Sequence, residues 1–282
     1  MGTRIDDKIR NEIAKKYVEG KSTIKLGKEY KCSASTCSNI LKEKNINRRN
    51  KYEAHRKYNI DETFFETINT EEKAYWLGFL SADGGTTKIA NRIRIDLEVG
   101  DIDHLKKFKK AIKSEHKIST RDIVSISGTI SHQCYFQFCS HKIKNDIMSY
   151  FDSNKSHTLI PPKELGNIES HYWRGMIDGD GGISFNKKLN RWEIYLNGTY
   201  EVCKRFADFI SKELNWMDRK PTKDKRMKSE QYRILYGGNN ISKMICELLY
   251  KDSTTYLNRK MKLANQIDKL EYKNLKNRFF KN

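Results

Sequence analysis

An eleven-residue pattern occurs twice in this chain, and no other feature constrains its fold as tightly. Residues 75–85 read YWLGFLSADGG and residues 172–182 read YWRGMIDGDGG, with six of the eleven positions identical. An internal repeat sets the architecture before any weaker signal, so two similar halves are expected, each supplying one carboxylate, Asp83 and Asp180. Each block reads as a helix stopped by its Asp-Gly-Gly. Gly78 and Ala82 in one copy, and Gly175 and Gly179 in the other, are four apart and share a helical face. Such small-residue stripes let two backbones approach closely. The large neighbours Trp76, Phe79, Leu80, Trp173, Met176 and Ile177 would fill the two half-cores. Two helices paired this way bring Asp83 and Asp180 together at their C-terminal ends, where the helix dipole is negative. Compensation is then required, and a divalent cation with oxygen ligands, Mg²⁺ above all, suits it. One copy alone would be read as a helix-ending turn, since short motifs match by chance often. Two copies in matching contexts favour a shared site.

WLGFLSADG and WRGMIDGDG resemble the nine-letter signature of the LAGLIDADG homing endonucleases, in their two-motif, single-chain form. The eighth, metal-binding letter falls on Asp83 and Asp180. The sixth is Ser81 in the first copy and Asp178 in the second, so the first copy departs there. The resemblance spans roughly residues 60 to 280 by order of elements, with only the two blocks specific in sequence. It implies an α+β fold of two pseudo-symmetric αββαββα units with saddle-like antiparallel sheets. It also implies Mg²⁺ or Mn²⁺ as cofactor, double-stranded DNA as partner and a monomeric protein. A basic residue precedes the second motif in such proteins, and Asn154-Lys155-Ser156 occupies that place. Lys251 is its nearest counterpart by position in the second half, with an ordinary solvated lysine as the competing reading. Backbone carbonyls of Gly84 and Gly181, with those of Ala82 and Gly179, are expected to complete the metal shell.

Composition agrees with a phosphate-binding role. The 282 residues hold 55 Lys and Arg against 36 Asp and Glu, a formal charge of +19, which suits nucleic acid without selecting an activity. No apolar run approaches the ~20 residues of a membrane span, and no signal-peptide pattern opens the chain, so a cytoplasmic protein with no membrane association is expected. The six cysteines lack a following Cys or His pair at finger spacing and read as reduced thiols rather than zinc ligands.

Along the chain, residues 1–50 form an expected all-α unit. Ile5, Ile9, Ile13 and Tyr17 recur every four residues, Ser22 caps a second helix carrying Ile24 and Tyr30, and Ser33 caps a third with Cys37, Ile40 and Leu41 inward. The order resembles a resolvase-type helix-turn-helix, which would offer Ser35, Thr36, Asn39 and Lys42 to a groove. A packing or protein-binding unit is the competing reading. Residues 51–69 read as a basic linker, and Arg48 and Arg49 just before it are candidate phosphate contacts. The first repeat is expected over 70–165 and the second over 166–282.

Thr70 starts the first motif helix. A hairpin with alternating Ile93, Ile95, Leu97 and Val99 follows, then a helix from Leu105, strands at 124–127 and 135–139, and a closing helix near Phe151. The second half repeats this order, with strands at 183–185 and 192–197, a helix over 199–214, strands near Met227 and at 232–236, and a helix over 241–250. Polar sheet faces carrying Arg92, Arg94, Lys187, Lys188, Arg191 and Arg233 are wide enough to lie along a DNA groove.

Hydrolysis of a phosphodiester needs an activated water and a stabilised transition state, which carboxylate-held metal ions supply. A nearby lysine can orient or deprotonate that water. The expected function is that of a site-specific, metal-dependent DNA endonuclease of a mobile genetic element, which breaks both strands of a long asymmetric target. A non-catalytic transcription regulator on the same fold and an RNA-binding intron maturase are the alternatives. Met1 and the absence of a terminal His-Asn argue against an intein.

Overall fold

The computed structural model describes residues 5–48, 58–86, 91–125, 127–150, 159–162, 165–223 and 231–272. The chain divides into two compact units, residues 1–57 and 58–282.

The first unit contains α1 (Asp7–Val18), α2 (Thr23–Glu29) and α3 (Ala34–Glu43). Asp6, Ser22 and Ser33 cap them, each side chain accepting a backbone N–H of the first turn. Ile13, Ala14, Tyr17, Leu26, Cys37, Ile40 and Leu41 make its core. Ile9, of the every-fourth series, and Ile24 on α2 are exposed. A strict every-fourth series drifts about 40° per step around a helix of 3.6 residues per turn, so Ala14 takes the inward place beside Ile13. In the short α2, Leu26 does the same for Ile24.

The second unit holds both repeats. The first runs α4 (Glu71–Asp83), β1 (Gly84–Thr86), β2 (Arg92–Glu98), α5 (Ile102–Ala111), β3 (Ile118–Val124), β4 (Ile130–Cys139) and α6 (His141–Met148). The second runs α7 (Glu169–Gly179), β5 (Gly181–Asn186), β6 (Arg191–Gly198), α8 (Tyr200–Glu213), β7 (Thr222–Lys223), β8 (Tyr232–Gly237) and α9 (Asn239–Tyr250), followed by α10 (Asn258–Asp268). The sheets are antiparallel with matching orders, β1-β2-β4-β3 and β5-β6-β8-β7. Gly84 pairs with Ile95 and Gly181 with Leu196, so the two motifs enter their sheets in the same register. Ile93, Ile95 and Leu97, and likewise Trp192, Ile194 and Leu196, point into the core, as their period of two requires.

The α+β class and the paired αββαββα order agree with the expectation. The expected strand at 124–127 lies earlier, ending at Val124, because β3 pairs along β4 from Ile118 opposite Phe136 to Val124 opposite Ile130. The strand expected near Met227, and Phe151 at the first closing helix, lie outside the described residues. The connector is shorter than 51–69. Phe64 and Phe65 are buried in the second unit's core, stacked edge to face at 4.8 Å, so residues 58–69 belong to that unit. Helix α10 was not expected; its inward Ala264 and Ile267 are interspersed with many charges. Among the described residues, no helix is long and apolar enough to cross a membrane.

Candidate functional site

Helices α4 and α7 cross back to back, and glycine makes the approach possible. A Cβ on Gly78 would lie 2.0 Å from the carbonyl oxygen of Tyr172, and one on Gly175 would lie 2.2 Å from that of Tyr75. Neither obstacle is a side chain that could turn away. Trp76 and Trp173 point to opposite half-cores, both fully buried. Each removes on the order of 200 Å² of surface from water, about 5 kcal/mol before the entropy of ordering.

The helices end at their Asp-Gly-Gly triplets as expected, but without a left-handed residue. Gly84 has φ −71° and ψ 141°, and neither motif's pair is among the glycines with positive φ. Each helix passes straight into a strand, and Gly84, Gly181 and Gly182 are needed for room. A Cβ on Gly84 would strike the Leu80 carbonyl at 2.6 Å, and one on Gly182 the Tyr195 ring at 2.3 Å.

Asp83 is the last residue of α4, and Asp180 caps α7, exposed at its C-terminal end. The two ends lie close together, since the Cβ position of Gly179 is 3.4 Å from Asp83 Oδ2. Beside Asp180 opens a cleft of about 220 Å³, lined also by Ser81, Ala82, Met176, Asn197 and Thr199. Two carboxylates with adjoining open space fit Mg²⁺, which keeps several waters and takes one or two acids plus substrate phosphate. No cluster of three or more acidic, His or Cys ligands occurs among the described residues, so the fit is to this sparse donor set and not to an all-protein cage.

A buried polar network locks the helices behind the acids. Asp178 is fully buried and accepts from Tyr75 Oη at 2.7 Å, Tyr250 Oη at 2.6 Å and Leu257 N at 2.7 Å. Burial pushes its carboxyl above the usual range, and the Lys260 ammonium and these donors pull it back. Because Tyr75 donates to Asp178, the 3.0 Å contact between Tyr75 Oη and His104 Nε2 assigns the ring proton to Nε2. Burial lowers His104 to about 3, with Lys107 adding to the shift. Arg174, also buried, crosses to the first half: Nη2 donates to Glu71 Oε1 at 2.7 Å, and Nε and Nη1 donate to the carbonyls of Thr255 and Leu249. The first copy has Ser81 in place of Asp178, and its hydroxyl donates one turn back to the Leu77 carbonyl at 2.8 Å.

Lys260, on the buried face of α10, donates to the carbonyls of Ile177, Asp178 and Gly181, the last two at 2.8 Å. Desolvation lowers it to about 8, while Asp178, Asp83 and Asp180 act in the opposite direction. Two further expected site residues are placed here. The Gly181 carbonyl, expected in a metal shell, is taken by an ammonium, and a second cation on the same oxygen would be repelled. Lys251 follows α9 as an exposed residue at a separate cleft with Glu247, Asp252 and Tyr256. Lys260 is a described lysine on which both acids act. Gly84 sits at the start of β1, and Lys155 lies outside the described residues.

The proposed DNA-facing residues are placed as follows. Arg92 is exposed, while Arg94 grips Asp96 through two bonds of 2.7 and 2.6 Å and lies 4.0 Å over the Tyr135 ring. Lys187 and Lys188 are exposed on the β5–β6 turn, and Arg191 pairs with Glu193 at 2.9 Å. Arg233 donates to Asn197 Oδ1 at 2.8 Å, and Asn197 Nδ2 donates at 3.1 Å to the Asp180 carbonyl, tying the outer sheet face to the second motif. In the first unit Asn39, Lys42 and Arg48 are exposed along one cleft. Ser35 and Thr36 are engaged with the Ser33 hydroxyl at 2.6 and 2.8 Å, and Arg49 lies outside the described residues. Sequence reasoning missed Asn197, Lys260 and the Arg174–Glu71 pair. Only Lys260 left a trace, as a lysine at helical spacing among Leu257, Met261 and Ala264.

No protein-family model and no curated protein sequence matches the chain. Solved structures do. The homing endonuclease I-WcaI bound to its DNA recognition sequence superposes with a TM-score of 0.51 at 15% identity, covering 70% of this chain and 90% of that one. The LAGLIDADG homing endonuclease I-GzeII in complex with a DNA target gives 0.45 at 14% identity, covering 70% and 88%. The N-terminal LAGLIDADG domain of DUF199/WhiA gives 0.43 at 10% identity, covering 71% and 92%. Over 70% of its length the chain has the fold of the homing endonuclease I-WcaI.

Proposed function

We propose that the chain is a site-specific, divalent-metal-dependent DNA endonuclease that cuts both strands of an asymmetric target. One observation carries this reading: Asp83 and Asp180 come from opposite halves and meet at the C-terminal ends of two helices held at glycine contact. A carboxylate pair is costly at two negative dipole ends, and a stable fold does not need it there. The similarity to a DNA-bound homing endonuclease supports the same reading.

In this account the acids present oxygens to a divalent cation, Mg²⁺ or Mn²⁺, from the two halves. Such a cation, when bound, supplies an activated water and charge neutralisation at the phosphate. Asn197 orients the Asp180 backbone, and Arg94, Arg191 and Arg233, each held by a neighbouring side chain, face the duplex with little ordering entropy left to lose. Lys155 is assigned to the attacking water. In the first unit, Asn39, Lys42 and Arg48 are assigned to DNA contacts that lengthen the recognised site.

The test is incubation of the full chain with a random DNA library and Mg²⁺, followed by sequencing of cut ends. Paired breaks at one recurring sequence are expected. Recurring binding without breaks would favour the regulator, and selective binding of folded RNA would favour the maturase.

A further inference from the structure

Two sulfurs touch in the first unit, away from the chemistry above. Cys32 Sγ and Cys37 Sγ lie 3.5 Å apart, and both are free thiols. Cys134 and Cys203, by contrast, donate to backbone carbonyls in the second unit. The backbone brings the first pair together without help from the thiols. Lys31 is left-handed at φ 51° and turns the chain after α2. Cys32 N then donates to the Gly27 carbonyl at 2.8 Å. Ser33 caps α3, which sets Cys37 one turn into that helix and within reach of Cys32. A disulfide needs its sulfurs at about 2.05 Å, about 1.5 Å closer than these. Cys32, on the turn and not in a helix, is placed to take up that shift. Access to the two differs. Cys37 is fully buried, whereas Cys32 is partly exposed. Burial, and then the contact with Cys32, pushes the Cys37 thiol up to about 11. An oxidant from solvent therefore meets Cys32 first, and Cys37 completes the bridge. The core of this unit is only seven buried residues, and units so small are commonly held by a staple.

We infer that Cys32 and Cys37 form a thiol–disulfide modification site, closed by a small-molecule disulfide such as glutathione disulfide, which staples α3 to the turn before it. Cys32 loses its proton and attacks one sulfur of the oxidant, whose other half leaves as a thiolate and is protonated. Cys37 then loses its proton and attacks Cys32 Sγ, forming the bridge and releasing the second small thiol. Two protein thiols are oxidised, and one disulfide is reduced to two thiols. The inference is independent of the nuclease reading, which uses neither sulfur.

The test incubates the folded full chain with glutathione disulfide, alkylates the remaining thiols and locates the bridge by peptide mass spectrometry. Hydrogen exchange over residues 5–48 is followed in parallel. A bridge between Cys32 and Cys37 is expected, with exchange slowed by about 40-fold, the loop-closure effect for six residues, and restored by dithiothreitol. Cys32→Ser should leave Cys37 unmodified, because the buried thiol has no path to the oxidant. Exposed Cys139 serves as the internal measure of thiol reactivity. A glutathione adduct on Cys139 with Cys32 and Cys37 both still free would overturn the inference. So would a bridge that forms only in denaturant, a bridge that leaves exchange unchanged, or an adduct on Cys37 in Cys32→Ser as fast as that on Cys139.

Discussion

Replacing Gly175 with alanine puts one methyl group where the two motif helices touch. The new Cβ would lie 2.2 Å from the Tyr75 carbonyl oxygen, 2.7 Å from Phe79 N and 3.1 Å from Gly78 C. All three are backbone atoms, so no rotamer change relieves the overlap and the helices must part by about 1 Å to reach contact distance. Overpacking of this kind costs about 3 kcal/mol at the upper end of its range. A gap of that size forfeits up to half of each dispersion contact across the crossing, about 1.5 kcal/mol for ~20 contacts. Alanine's better helix propensity returns about 1 kcal/mol. The net loss of about 3.5 kcal/mol corresponds to a fall of about 7–14 °C in a unit of this size. Thermal and urea denaturation followed by circular dichroism measure it. Gly100→Ala is the control, since nothing lies within 4 Å of its Cβ position and the residue is exposed. If Gly175→Ala melts with the control, the helices are not in glycine contact and the convergence of Asp83 and Asp180 loses its basis.

Three further outcomes are expected. His104 stays neutral in the fold down to about pH 3, whereas its unfolded imidazole charges near 6.5. Its contribution is therefore complete above 6.5 and is lost as pH falls, by about 2 kcal/mol at pH 5. Urea titrations at pH 7 and 5 should show a smaller drop for His104→Gln, and equal drops would contradict the burial. Arg174→Met should destabilise the second unit by about 3–5 kcal/mol, because Glu71 and two backbone carbonyls lose a buried partner; a loss within 1 kcal/mol in urea would show the pair to be incidental. Deleting residues 1–57 should leave the second unit folded and lower the log–log salt slope of DNA binding by ~0.9 for each phosphate contact removed. An unchanged slope and footprint would make the first unit a packing or partner-binding module.

The order of elements, the helix crossing and the two acids were legible because each rests on a local rule: period, cap residue, or small residues four apart. Asp178 was visible only as a motif letter, since its partners Tyr75 and Tyr250 lie 103 and 72 residues away. Lys260 was hidden for the same reason, its acceptors being 79 to 83 residues upstream. The glycines after each acid were legible as necessary but for the wrong cause. Their composition suggests a left-handed turn, while their place against Leu80, Ile177 and Tyr195 makes them a matter of space.

The central claim is that one carboxylate from each half serves a single hydrolytic site. Asp83→Asn and Asp180→Asn, made separately, test it most directly on a cleavable target, with binding followed in Ca²⁺ and cleavage of each strand in Mg²⁺. The account predicts that either change abolishes cutting of both strands and leaves DNA affinity within a few-fold of wild type. Full cutting by either variant at saturating Mg²⁺ would contradict it.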